Sequence, residues 1–382
     1  MVGVIRCGDV PPVVEADRRE QWNSFVSGHS HGHFMQLWEW GEIRRTSGWE
    51  PHYLAVESKG ELDAVALVLT RAIPGLGTLL YTPRGPLWNP ANPDGLRQLV
   101  AKVQRLAQAR RGLVWRIDPY VTESEASVRL ALEAEGFRTL DMAWSYWNQP
   151  KYVMLLSLEG GKPAVLSAID RRDRYKIRYA PKHGVAIERA PFGEKHVDDF
   201  HRLMTATARK KAIPVRDRDW YSNLLRSFGK TGQAELFFAR VGEEPVSAGI
   251  SIRMGTRAWL MYLGSDYSAK LATWALQWDM VAWAADSGCT VYDFRGTATN
   301  FPPSPHDKGY GVYQFKKSFG PSIVPLAGYF DRVFNAGRYR LFRYAERRLL
   351  PLGERGMEAL TALRRTVGRS RASMTKAPIG SS

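Results

Sequence analysis

The residues with most capacity for chemistry stand late in the chain: Tyr292-Asp-Phe-Arg-Gly296, a Gly/Pro/Asp-rich loop over 297–309, then Tyr310-Gly-Val-Tyr-Gln-Phe-Lys-Lys-Ser-Phe-Gly320. The first run has the aromatic and apolar pattern of a strand. The second reads as another strand, whose alternation would send its two adjacent lysines to opposite faces. A carboxylate, an arginine and two lysines gathered around one loop form a site-like arrangement. No Ser-His-Asp set, metal-ligand cluster or phosphate-binding glycine loop is recognisable in the chain, so those chemistries have no signature here.

The elements that must position these groups follow from periodicity. Helical character over 18–27 precedes Phe34-Met-Gln-Leu-Trp-Glu-Trp-Gly-Glu-Ile-Arg-Arg45, in which Phe34, Leu37, Trp38, Gly41 and Arg45 share one helical face. Strand-like runs over 50–57, 62–73 and 78–81, punctuated by Gly60 and Gly75-Leu-Gly77, lead to helix 94–109, strand 112–118, helix 123–135 and strand 151–158. The second half repeats that order. Helices within 162–183, strand 185–190 and helices 196–210 and 219–228 precede strands 234–241, 245–254 and 257–264, helix 271–287, strand 289–294 and the Phe315 region. Each half runs helices, three strands, helix, strand, without a residue-level repeat, which predicts a duplicated α/β (α+β) unit.

At 382 residues and 44% hydrophobic content the chain can fill one large core or two ordinary ones, and two domains are expected. Aromatics at 12%, including 13 Trp, exclude a disordered composition. The net charge is +16, and residues 338–382 hold eleven Lys/Arg against three Glu, half of that excess. Such a surface attracts RNA, a nucleotide-linked substrate or anionic lipid headgroups. Residues 338–371 are helix-compatible apart from Pro351-Leu-Gly353, with Tyr339, Phe342, Ala345 and Leu349 as a partial apolar stripe, and 375–382 reads as a disordered tail. Only Cys7 and Cys289 are present, so a disulfide framework is not expected. With no signal-peptide pattern and no apolar run near ~20 residues, the expectation is a cytoplasmic protein with peripheral contact at the membrane surface.

Six groups of residues, in order from about Phe34 to Phe330, resemble the FemABX family of peptidyltransferases, which add amino acids from aminoacyl-tRNA to a peptidoglycan precursor. They are Trp38-Glu-Trp-Gly-Glu-Ile-Arg-Arg45 with Gly48-Trp-Glu-Pro51; Tyr81-Thr-Pro-Arg-Gly-Pro86; Gln149-Pro-Lys-Tyr152; Arg174-Tyr-Lys-Ile-Arg178 with Lys182-His-Gly-Val185; and the two late runs. The resemblance implies two tandem GNAT-like (acyl-CoA N-acyltransferase-like) domains, in agreement with the duplicated order. Nothing between Lys162 and Phe330 has room for a long coiled-coil insertion, so the chain looks like the compact, FemX-like form with a basic C-terminal helical extension. The expected division is 1–158 plus 331–374, then 159–330, with 375–382 as the tail.

By motif, the resemblance places Phe315 and Lys316 at the tRNA acceptor end and the reacting ester. A lysine at its ordinary pKa of ~10.4 is a cation that holds phosphate or ribose and favours the oxyanion, and is a poor general base. Arg44 and Arg174 match precursor-phosphate contacts, one from each domain, with Arg84 and Arg178 nearby in sequence. Arginine suits phosphate because its planar fork makes paired bonds. Tyr221 is a candidate for the stem peptide or sugar. Asn89 stands where family members often have an acidic residue, and can orient the amine but not take its proton. Asp293 is expected to be structural, ion-paired with Arg295. No metal or cofactor is implied; aminoacyl-tRNA is the co-substrate, and lipid II or UDP-MurNAc-pentapeptide the acceptor. The alternatives are a related transferase acting on a peptide antibiotic or a resistance-modified precursor, a GNAT-type N-acyltransferase, for which the pyrophosphate turn is missing, and a non-catalytic RNA or membrane binder.

Overall fold

The computed structural model describes residues 12–90, 92–140, 149–211, 213–269, 271–296, 301–307 and 309–349. Cys7, the helix-compatible stretch beyond 349 and the expected tail lie outside them. Helix α1 (Pro12–Gly28), a 3-10 turn at Phe34–Gln36 and α2 (Trp38–Thr46) precede strands β1 (Glu50–Ser58), β2 (Glu61–Ile73), β3 (Gly77–Arg84) and β4 (Leu87–Trp88). Then come α3 (Pro93–Ala109), β5 (Gly112–Pro119), α4 (Ala126–Ala134), β6 (Arg138–Leu140) and β7 (Tyr152–Ser157). The second half comprises α5 (Gly161–Ala168), α6 (Arg171–Tyr179), β8 (Val185–Ala190), α7 (Glu194–Lys211), α8 (Arg218–Gly229), β9 (Ala234–Val241), β10 (Glu244–Met254) and β11 (Arg257–Ser265). It ends with α9 (Ala272–Asp286), β12 (Val291–Gly296), α10 (Tyr310–Lys317), β13 (Ser322–Pro325), β14 (Tyr329–Val333) and α11 (Ala336–Leu349).

Two seven-stranded sheets result. The first runs β1-β2-β3-β5-β14-β6 with β4 also on β2, and the second β13-β7-β12-β11-β10-β9-β8. The duplication expected from element order is visible in the pairing. Antiparallel triplets β1-β2-β3 and β9-β10-β11 are each followed by a helix, α3 or α9, and then by a strand parallel to the third, β5 or β12. Sequence order fails at two strands. Residues 152–157, assigned above to the first unit, pair antiparallel with β12 and β13 in the second sheet, while β14 lies beside β5 in the first. A short strand with apolar residues on both faces carries no local mark of its sheet; the edge within reach decides.

The second departure is α10. The Phe-Lys-Lys run is a helix, because Tyr313, Lys316 and Phe319 recur at three-residue spacing and bury one face. Gly309 (φ 95°) precedes it and Gly320 (φ 79°) follows, both in the left-handed region where glycine is unstrained. Lys316 is therefore buried and Lys317 exposed by helical rotation rather than strand alternation.

One core fills the space between the two halves. Phe34 and Trp40 of the first half meet Phe200, Trp220 and Leu224 of α7 and α8 on the face of the second sheet that carries Phe238, Ile250 and Trp259. Each such side chain contributes roughly 1.5–3 kcal/mol on burial. The opposite face, with Phe237 and Leu260, is covered by α5, α6 and α9 through Val165, Ile177, Leu276 and Met280. We call these the inner and outer faces. Gly41 explains one motif residue: a Cβ there would lie 2.1 Å from the hydroxyl of Tyr53, whose ring stacks on Trp38 at 3.7 Å.

Candidate active site

A buried polar cluster lies where the C-terminal ends of β3, β5 and β12 converge. Asp118, at the end of β5, accepts from the Arg84 N–H, the Gln149 N–H and the Tyr81 hydroxyl, each at 2.7 Å. Two residues on, the Tyr120 hydroxyl crosses to the second sheet and donates to Asp293 Oδ2 at 2.7 Å, while Asp293 Oδ1 accepts from the Arg295 N–H at 2.5 Å. Arg84 and Arg257 lie 5.6 and 5.4 Å from the centre of the Tyr120 ring. Arg84 also donates to the Pro150 carbonyl at 2.8 Å.

Arg295 owes its position to the sheet. β11 and β12 pair only from Arg257↔Val291 to Trp259↔Asp293, and β12 regains β7 at Gly296 after a register shift. In the shifted stretch Arg295 takes a φ of 62°. Its guanidinium reaches Met261 Sδ on β11 at 3.2 Å and Gln149 Oε1 at 2.8 Å. Lys316 completes the cluster from α10, donating to the Gly296 carbonyl at 2.6 Å. Asp293 is thus held by Tyr120 and its own strand, and its expected pairing with Arg295 is through the backbone N–H.

The electrostatics follow from burial. Four cations (Arg84, Arg257, Arg295, Lys316) face two carboxylates (Asp118, Asp293). Burial pushes both carboxyls above their ordinary range, against the hydrogen bonds and arginines that hold them ionised. Burial, and then Arg295, bring Lys316 down to about 8, with Asp293 opposing. This corrects the expectation of an ordinary lysine: Lys316 stays mainly cationic at neutral pH yet titrates within reach of it. His33, whose ring lies 5.0 Å from Tyr120 and 4.9 Å from Trp259, is held well below its usual range by burial and by Arg84, Arg295 and Arg257, and so is neutral.

A second cationic site lies beside β3. A cavity of about 330 Å³ is lined by Arg45, Trp49, Glu50, Arg71 and Arg110 among others, with Thr78 on its wall. Arg44, half-buried, lies 5.2 Å from the Trp49 ring and 5.7 Å from that of Trp220 on α8, where Arg216 also stands at 4.9 Å. Cations from the two halves therefore converge on one indole. Trp49 in turn lies 6.1 Å from the ring of Tyr81, whose hydroxyl bonds Asp118, and Trp220 Nε1 donates to the Tyr262 hydroxyl at 2.8 Å, so this site adjoins the buried cluster.

The structure distributes the sequence candidates unevenly. Arg84 and Lys316 share the buried cluster. Phe315 is half-buried on the outer side of it, edge-on to Trp274 at 5.1 Å. Asn89 is exposed on the turn after β4. Tyr221 is fully buried, packed on Phe200 at 5.0 Å and Tyr262 at 5.1 Å, and presents no surface to a stem peptide or sugar. Arg174 and Arg178 lie on α6, on the outer face of the second sheet, whereas Arg44 lies with α8 on the inner face. The second sheet runs between Arg44 and Arg174, so the structure does not bring that expected pair together; the arginine that joins Arg44 at Trp220 is Arg216. Asp118, Tyr120, Arg216 and the position of Arg295 were missed. The one available signal was the Asp-Pro pair ending the 112–118 strand, since residues at the ends of parallel strands border sites in α/β folds.

Among the described residues no group of three or more His, Cys, Asp or Glu could hold a metal ion, and no helix is long and apolar enough to cross a membrane. The fold is a tandem GNAT-like one with two sheets, as in a crystal structure of FemX, with which the chain superposes at a TM-score of 0.78 and 23% identity, over 85% of this chain and 98% of that one. The protein is a transferase of that architecture. It belongs to the FemAB family, whose family model matches residues 18–243 and 233–347, and is an aminoacyl-tRNA-dependent aminoacyltransferase of that kind. Similar curated proteins include the lipid II:glycine glycyltransferases of Staphylococcus haemolyticus (strain JCSC1435) and Staphylococcus aureus (strain USA300). Each is 24% identical, over alignments of 401 and 403 positions that cover 86% of this chain and 95% of the relative.

Proposed function

We propose that the protein extends the stem peptide of a peptidoglycan precursor, lipid II or UDP-MurNAc-pentapeptide, by an amino acid taken from charged tRNA. The observation that carries this is a pair of adjoining cationic sites, Arg44 and Arg216 on Trp220 and the cluster around Lys316, linked through Trp49 and Tyr81. Arg44 and Arg216 on Trp220, beside the cavity at Trp49, suit a diphosphate; the cluster around Lys316 suits a reacting ester. Arg44 and Arg84 keep binding roles in this reading, and Lys316 with Phe315 receives the aminoacyl end.

The amine nitrogen attacks the ester carbonyl carbon, the bond from that carbon to the ribose oxygen breaks, and the amine proton ends on the ribose oxygen. The donor is already activated, so the protein's work is alignment, worth up to ~7–11 kcal/mol in well-oriented cases, and shelter of the oxyanion. Lys316, cationic and pinned to the Gly296 carbonyl, supplies the charge. Asp118 and Asp293 are engaged by neighbouring donors and hold the frame. Charged tRNA is a cytoplasmic substrate, so this reading makes the protein cytoplasmic, at the inner face of the membrane if the acceptor is lipid-linked.

The test is incubation with a panel of charged tRNAs and each acceptor. Mass spectrometry should show the acceptor gaining one aminoacyl residue; no adduct with any charged tRNA on either acceptor overturns the proposal.

A further inference from the structure

Helix α6 carries five cations and one carboxylate in nine residues, and the fold divides them. Ile177 enters the outer core, Lys176 lies 4.0 Å over the Trp274 ring and pairs with Asp173, and Arg174 donates to the Ser167 carbonyl. Arg171, Arg172 and Arg178 are left exposed, with no ion pair among the described residues. Between them Tyr175, 52% exposed, stacks on Tyr179 at 3.8 Å, and Lys182 stands 4.7 Å over Tyr179.

Helix stability does not account for this face. Arg171 and Arg172 occupy the first turn, the positive end of the helix dipole, where cations are unfavourable, and Arg174 and Arg178 repeat the charge at helical spacing. Forked cations around an exposed aromatic pair suit a sugar-phosphate backbone. A membrane-seeking face would instead carry Leu, Phe or Trp, and the only large aliphatic side chain of α6, Ile177, is buried. The helix also adjoins the cluster: Lys176 lies on Trp274, Trp274 meets Phe315 edge-on at 5.1 Å, and Lys316 follows.

We propose that the exposed face of α6, built on Arg171, Arg172, Tyr175 and Arg178, docks the phosphate backbone of the donor tRNA's acceptor stem and leads its aminoacyl end past Trp274 and Phe315 to Lys316. The inference rests on the donor being charged tRNA. Arg178 thereby moves from the acceptor to the donor, and the two substrates approach from opposite faces of the second sheet, the precursor along the inner face and the tRNA along the outer.

The test is the double variant Arg171→Glu/Arg172→Glu, with Tyr175→Ala as a second. Carboxylates at the start of a helix are favourable, and the Asp170 cap, which accepts from the Arg172 N–H at 2.8 Å, is retained, so the double variant folds. Anisotropy of a labelled acceptor-stem minihelix, across salt, reads binding without any transfer. Affinity should fall tenfold or more, with the log–log salt slope reduced by about 1.4–1.8 for two lost phosphate contacts. The KM for full-length charged tRNA should rise in step, while transfer from a short aminoacylated oligonucleotide lacking the stem keeps its rate. Unchanged affinity and slope, no minihelix binding by the unmodified protein, or a loss confined to phosphatidylglycerol vesicles would each overturn the inference, the last assigning the face to a membrane. Failure of every charged donor in transfer overturns the proposed function instead, and the minihelix measurement still decides for α6.

Discussion

Lys316 combines two properties that its sequence neighbours lack: it is 8% exposed, and it is fixed by a 2.6 Å bond to a carbonyl at the end of a strand. With its pKa lowered to about 8, it is about nine-tenths charged at pH 7 and loses its proton as pH rises through 8. An electrostatic role therefore predicts that kcat falls above pH 8. Lys316→Arg should keep part of the activity and carry the fall beyond pH 10, so the ratio of the variant's rate to that of the unmodified protein rises through pH 8 independently of the acceptor's own titration. Lys316→Ala should cost about 10²–10³ in kcat, as loss of one oxyanion donor does. If the unmodified protein instead gains activity through pH 8 while the arginine variant does not, Lys316 is the general base.

At the scale of elements, the end of the described chain is fastened by charge. Arg116 of β5 is fully buried and makes paired 2.8 Å bonds to Asp331 of β14 and a further pair to Glu346 of α11; Glu346 also meets Arg343, and Tyr339 donates to Asp331. Burial acts to lower the Arg116 pKa, but the two carboxylates outweigh it and hold the guanidinium charged. A buried pair broken by removing one partner costs about 3–5 kcal/mol. Glu346→Ala should therefore lower stability by that amount in urea denaturation, with Glu346→Gln less severe because it keeps an acceptor. A loss below ~1 kcal/mol would mean that α11 is held by apolar contacts such as that of Phe342. The same scale explains why α10 was misread: in eight residues the periods of helix and strand differ by few positions, and the burial of Tyr313, Lys316 and Phe319 together is a tertiary event.

At the scale of the whole molecule, the second sheet acts as a partition. The inner face carries Arg44 and Arg216 over Trp220, and the outer face carries α6. Arg44→Ala and Arg216→Ala should each raise the KM for the precursor about tenfold and leave the KM for charged tRNA unchanged. The double variant should fall short of the product of the two effects, because neighbours that share a partner are not additive. Equal effects on both substrates would place the two arginines at a common structural joint.

The sequence alone determined what depends on periodicity and on motifs of adjacent residues. The duplicated order of helices and strands, the three consecutive strands of each half, Lys316 as the residue to test and the FemABX resemblance were all legible there, because each is carried by residues within one element. The tertiary structure decided what depends on which elements meet. β7 joins the second sheet, Tyr120 of one half holds Asp293 of the other, Asp118 is buried beneath Arg84, and Arg174 is separated from Arg44 by a sheet. The reason is physical. A strand or an arginine carries no local record of the edge or face it will reach, and the shift of Lys316 to about 8 exists only once burial and Arg295 surround it.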